Sequence, residues 1–180
     1  MQLFIPRSIW NDAHDMSRLG GENESAAVLT GHLTRDTESS AVFLVVTDCL
    51  RAEHAEEEQF SVGFSGETWA LMRERVEQRR RRLNRPSEMI VGTAHGHNFK
   101  PTPDATGRMT CDACPVLEVC SRSTCHASED DLQFHKSVFT EAPWAVLALW
   151  GWNAREEEEW RLYGLKDATL APRSVRIVED

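Results

Sequence analysis

Long apolar runs are missing from these 180 residues. No stretch approaches the roughly 20 apolar residues of a membrane-spanning helix. The opening segment MQLFIPRSIWND has neither the basic start nor the small-residue cleavage site of a signal peptide, which points to the cytoplasm. Positive charge is also short: 20 Lys and Arg face 29 Asp and Glu, a net charge of −9. A general nucleic-acid binder needs a basic surface to neutralise phosphates, so that class is disfavoured. No internal repeat is present. Cysteine is scarce outside one place: four of the five lie between Cys111 and Cys125, and Cys49 stands alone. In a reducing compartment such a cluster is more often a metal site than a disulfide framework. What remains is the composition of a soluble globular chain, 41% hydrophobic and 27% charged, long enough for a single domain over residues 1–180.

The hydrophobic pattern alternates between strand and helix. Leu3–Pro6, Ala26–Thr34 and Ala41–Leu50 have strand character, the last being the most apolar and expected at the sheet centre. Arg7–Leu19 is expected to be helical, with Ile9, His14 or Met16 inward and Gly20-Gly21 ending it. Ser65 is placed to cap a helix over Gly66–Leu83, with Trp69, Met72, Val76 and Leu83 as its apolar stripe and Pro86 as its stop. The run Arg79–Arg82 suits the negative end of that helix's dipole and is expected to be solvated. Glu88–Ala94 is a further strand. Gly96–Ala127 has no periodicity, and a loop this long in a compact domain is usually functional or carries its own staple. Ser128 caps a helix over Glu129–Phe139. Trp144–Trp152 and Glu159–Leu165 form two more strands, followed by a largely irregular tail with a possible edge strand at Ser174–Val178. The expected fold is α/β: a mixed β-sheet flanked by helices, with a Cys-rich loop insertion over residues 99–127.

The chemistry begins with EMIVGTAHGHNFKP. In extended backbone, residues two apart point to the same side, so His95 and His97 can aim at one point. Neutral imidazole is the commonest zinc ligand, and a catalytic zinc usually has three protein ligands. Two loop histidines alone carry no such implication. Downstream, Ser128 and Asp131 share a face at a helix start, where Asp131 can serve as the third ligand and Ser128 as a hydroxyl donor to an oxyanion; both also make ordinary helix-capping residues. Upstream, Glu24 leads into a buried strand and can serve as a general base toward water.

Glu24 with Gly31 seven residues on, then His95-x-His97, then Ser128-x-x-Asp131, in that order, resembles the JAMM (JAB/MPN) zinc metallopeptidases. The resemblance spans roughly Met1 to Gly164. It implies an MPN/JAB-like, cytidine-deaminase-like fold. It also implies a catalytic Zn2+ held by His95, His97 and Asp131, with Glu24 as base and Ser128 as oxyanion donor. The pattern departs from the family in three ways. Gly96 replaces the Ser or Thr between the histidines, Asn98 replaces the following Pro, and the interval to Ser128 is much longer. Glu22 competes with Glu24, and Asp130 with Asp131.

The long interval contains Cys111-x2-Cys114-x5-Cys120-x4-Cys125. Four thiolates with no open position would make a closed structural zinc site, giving the insertion a core it cannot otherwise build. CDACPVLEVC also resembles the iron–sulfur segment of WhiB-type proteins, which makes a cluster the second choice. Cys49 suits a buried apolar position.

The function implied is a cytoplasmic, deubiquitinase-like zinc isopeptidase. It would hydrolyse an amide bond at the C-terminal tail of a ubiquitin-like protein, without membrane or nucleic-acid partners. The alternative is a non-catalytic MPN-like scaffold that binds a partner through the cysteine module. A nucleic-acid role resembling that of RadC-like relatives would use Arg79–Arg82, but the acidic charge opposes it.

Overall fold

The computed structural model describes residues 2–53, 55–57, 62–98, 123–153 and 157–180. The strands are β1 (Gln2–Pro6), β2 (Ala26–Arg35), β3 (Val42–Arg51), β4 (Glu56–Glu57), β5 (Val62–Gly63), β6 (Met89–Gly96), β7 (Val146–Trp152), β8 (Glu158–Lys166), β9 (Thr169–Pro172) and β10 (Val175–Val178). The helices are α1 (Arg7–Ser17), α2 (Gly66–Leu83) and α3 (Glu129–Val138). Eight strands form one mixed sheet in the order β10-β1-β3-β2-β6-β7-β8-β9, and β4 and β5 pair separately. The centre is therefore β2 and β6, with β3 third from one edge.

Chain connectivity forces this sheet to curl. β9 is one edge and β10 the other, yet only Arg173 and Ser174 separate them in sequence. The Cα atoms of Pro172 and Val175 can lie at most about 11 Å apart, at 3.8 Å per peptide. Edge strands of a flat eight-stranded sheet would be roughly 33 Å apart at about 4.8 Å per strand. Arg173 ties the connection to β8, its backbone N–H donating to the Leu162 carbonyl at 2.7 Å and its guanidinium to the Leu165 carbonyl at 2.8 Å.

This half-barrel, with three helices among the described residues, is not the helix-flanked MPN/JAB-like sandwich expected from the sequence. Two features explain the difference. The tail expected to be largely irregular supplies β9 and β10, which occupy both edges. And α2 is not a full covering layer: it buries only Thr68, Met72 and Val76, while Leu83 at its end is exposed.

Period-two alternation divides the core. Val146, Ala148 and Trp150 of β7 join the cluster containing Trp10 and Ala13 of α1, while Leu147 and Leu149 pack with Cys125 and Tyr163. The inward face of α1 is Trp10, Ala13 and Ser17, with Ile9 and Met16 at its margin. His14 instead reaches Glu158 at 2.9 Å. The Trp10 ring lies 4.7 Å from that of Trp150 and 4.5 Å from that of Trp160. Ser65 caps α2 and Asn84 ends it in the left-handed region at φ 50°. Three arginines of the run are ion-paired: Arg80 and Arg81 both contact Glu77, and Arg79 points inward between Asp48 and Glu88. No helix among the described residues is long and apolar enough to cross a membrane.

Candidate metal centre

Strand register builds the site. β2 and β6 run antiparallel with Ala26 opposite His95, and continuing two residues outward brings Glu24 opposite His97. Glu24, His95 and His97 are all at least nine-tenths buried, and each offers a ligand atom within 4.8 Å of the others. This buried group can hold a metal ion. Glu22 lies two residues further out and is exposed, as is Asp130.

Asp131 enters from α3 and contacts His95 of the histidine pair. The His95 Nε2 to Asp131 Oδ1 distance is 3.1 Å, His95 Nε2 to His97 Nε2 is 3.3 Å, and His97 Nε2 to Glu24 Oε1 is 3.6 Å. A tetrahedral ion with bonds of about 2.0–2.1 Å has neighbouring ligands roughly 3.3–3.4 Å apart, so the His95–His97 and His97–Glu24 spacings suit one, while Asp131 lies outside the group of ligand atoms within 4.8 Å of one another. The sequence pattern put Asp131 in the ligand set and Glu24 outside it. The geometry instead draws Glu24 to ligand distance, with Asp131 against His95 outside that group.

Ser128 is the N-cap of α3 in a capping box. Its Oγ accepts from the Asp131 N–H at 3.1 Å, and its own N–H and hydroxyl both donate to Asp131 Oδ2 at 2.7 Å. The hydroxyl proton is thus directed at Asp131, and donating to an oxyanion requires it to rotate.

Burial and charge sort the protonation states. Burial dominates at Glu24 and pushes its pKa to about 7, with His95 opposing and Asp131 adding. Burial, helped by His95, pushes His97 down to about 4, so its ring is neutral. At His95 burial alone would lower the pKa, but Asp131 and Glu24 outweigh it and the pKa is raised. At Asp131 burial alone would raise the pKa, but His95 and the Ser128 donors hold it well below the usual carboxylate range. The His97 Nδ1–H donates to the Thr124 carbonyl, leaving Nε2 unprotonated, with its lone pair toward His95. The Nε2 proton of His95 therefore faces Asp131 Oδ1 and His97 Nε2, where a cation can replace it.

The departures from the motif have a structural cause. A Cβ on Gly96 would lie 2.5 Å from the Ser17 carbonyl oxygen, so the end of α1 rests directly on the turn between the histidines. Asn98 bonds that same end, its Nδ2 donating to the Ser17 carbonyl at 3.3 Å and to the Asn23 carbonyl at 2.6 Å. Proline could donate neither bond. Ser25 ties the other side of Glu24, with Oγ donating to the Met16 carbonyl at 2.9 Å. Asn98, Ser25 and Thr124 were not legible as site residues: two act on main-chain carbonyls, and Thr124 acts through its own.

Cys111, Cys114 and Cys120 lie outside the described residues. Cys125 is fully buried, and its Sγ–H donates to the Leu149 carbonyl at 3.3 Å. Burial first, then Glu159, pushes its thiol pKa to about 12, which opposes the thiolate that a fourth metal ligand must be. Cys49 is buried against Met16.

No protein-family model matches the chain, and no curated protein matches it. Among solved structures it is similar to the solution structure of a structural-genomics target protein from Desulfitobacterium hafniense. The two share 12% identity and a TM-score of 0.60 over 99% of this chain and 94% of the other. At that identity the likeness concerns the fold alone.

Proposed function

We propose that this protein is a zinc-dependent hydrolase of amide bonds, with the chemistry of the JAMM peptidases its motif resembles and a ubiquitin-like C-terminal tail as substrate. The site supports this reading, not the architecture. The observation that carries it is the buried Glu24–His95–His97 group, with Asp131 on the far side of His95. The proposed ligands are His95, His97 and Asp131, a zinc-type donor set, with Glu24 beside them as base. A bound ion would supply Lewis acidity to the scissile carbonyl and to an attacking water. Glu24, with a pKa near neutrality, takes the proton from water and returns it to the leaving amine. Asp131 holds the charge on the His95 side, and Ser128 turns its hydroxyl toward the developing oxyanion.

Glu24→Gln tests the assignment. As a base, the variant keeps its metal and loses about 10²–10⁴-fold in cleavage of a ubiquitin-like fusion. If Glu24→Gln loses the metal, Glu24 is a ligand and the assigned roles are wrong. If the double variant His95→Ala, His97→Ala holds as much metal per chain as wild type, the proposed centre does not exist.

A further inference from the structure

The segment Ser123–His126 lies across β7 and is fastened at each residue. The Ser123 hydroxyl donates to Glu159. Thr124 bonds Trp152 through its N–H, which donates to the Trp152 carbonyl at 2.8 Å, and its Oγ1, which accepts from the Trp152 N–H at 2.9 Å and donates to the carbonyl at 3.5 Å. The Cys125 thiol donates to the Leu149 carbonyl, and its own carbonyl accepts from the Tyr163 hydroxyl at 3.2 Å. His126 closes the turn, Nδ1 lying 2.7 Å from the Ser123 carbonyl. The segment sits so close to β7 that a Cβ on Gly151 would meet Cys125 N at 2.7 Å, Cys125 Cα at 2.9 Å and the Thr124 carbonyl carbon at 2.9 Å. All three are backbone atoms, so a side chain there must displace the segment itself.

One output of this anchoring reaches the metal centre. The Thr124 carbonyl accepts the Nδ1–H of His97 and so selects the tautomer whose Nε2 is unprotonated. An outer hydrogen-bond partner of this kind fixes ring orientation and raises ligand basicity. Here the partner is a main-chain carbonyl, so its position depends on the whole segment.

We propose that Ser123–His126 is a latch that sets the affinity of the metal centre, and that Gly151 and Tyr163 are positioning residues acting through it. This rests on the metal-centre reading above. Neither residue offers a ligand to the Glu24–His95–His97 group.

The test uses the full chain with Zn2+ alone, titrated against a competing chelator. The binding component that His95→Ala abolishes defines the centre. Gly151→Ala is expected to weaken that component about 10–100-fold. Tyr163→Phe and Thr124→Val each remove one anchor and should weaken it about two- to tenfold. The second readout is the imidazole nitrogen NMR spectrum of the metal-free protein. Wild-type His97 should show the single Nδ1–H tautomer, and Gly151→Ala a mixture. A general loss of stability would not produce that change in a folded variant.

Folded variants with wild-type affinity and an unchanged His97 tautomer overturn the proposal. If Gly151→Ala does not fold, Tyr163→Phe and Thr124→Val decide it by the same criteria. If His95→Ala leaves all zinc binding intact, the metal-centre reading fails, and the His97 tautomer alone still decides whether the latch positions that ring.

Discussion

His135 lies one helical turn beyond Asp131 and is almost wholly buried, its ring 4.8 Å from that of Phe139. Burial pushes its pKa down to about 4, with the Ala145 carbonyl and the Asp131 charge opposing only in part. The folded ring stays neutral in a range where the unfolded chain, with an ordinary value of 6.5, takes up a proton. Stability is therefore lost as pH falls from about 6.5 to about 4 and does not change further from this group below that. The gap is worth about 3 kcal/mol at most. His135→Leu should remove this component, so urea denaturation at pH 7 and pH 4 should show wild type losing more than the variant. Equal losses would mean that the folded ring takes up its proton as readily as the unfolded one. The same physics acts with opposite sign at His95, whose raised pKa favours the folded state in acid.

Helix α2 shows how an element is attached when its apolar stripe is thin. Arg79 reaches from α2 to Asp48 of β3 and to Glu88 at the start of β6, the latter at 3.1 Å. Thr47 and Thr30 also donate to Glu88, at 2.8 and 3.3 Å. Burial alone would raise the Glu88 pKa, but these donors and the Arg79 charge lower it. Removing one member leaves buried charge uncompensated. Arg79→Ala is expected to cost about 3–5 kcal/mol in chemical denaturation. Arg81→Ala, whose partner Glu77 is on the solvent side, should cost no more than about 1 kcal/mol. Similar losses for the two would show that the buried network does not hold α2 to the sheet.

The whole molecule depends on closing the sheet's two edges through one short connection. The tail also clamps α1 from the far side: Ser8 Oγ donates to Asp180 at 2.9 Å, and Arg7 pairs with Glu179 at 3.1 Å. Ending the chain at Lys166 strips β9 from β8 and β10 from β1, baring the edges of β8 and β1 in place of two short edge strands. The shortened chain is expected to aggregate or to lose cooperative unfolding, read by size-exclusion chromatography and thermal melting. A monodisperse, cooperatively melting product would show that the closure is dispensable.

The residue types of the metal centre were legible in the chain. Two histidines two apart on a strand must share a side, and a serine and aspartate three apart at a helix start must share a face, because both follow from backbone period. The three helices and strands β1, β2, β3, β6, β7 and β8 followed for the same reason, within a few residues at their ends, whereas β4, β5 and β9 did not. What the tertiary structure decided were relations between segments distant in sequence. Only the β2–β6 register separates Glu24 from Glu22, because one places its carboxylate opposite His97 and the other in solvent. Only the packing of α1 against the histidine turn explains Gly96 and Asn98. Only the joining of β9 to β10 turns a list of alternating elements into a half-barrel. A local pattern specifies which way a side chain points along its own element, whereas pairing and closure depend on contacts that no local period encodes.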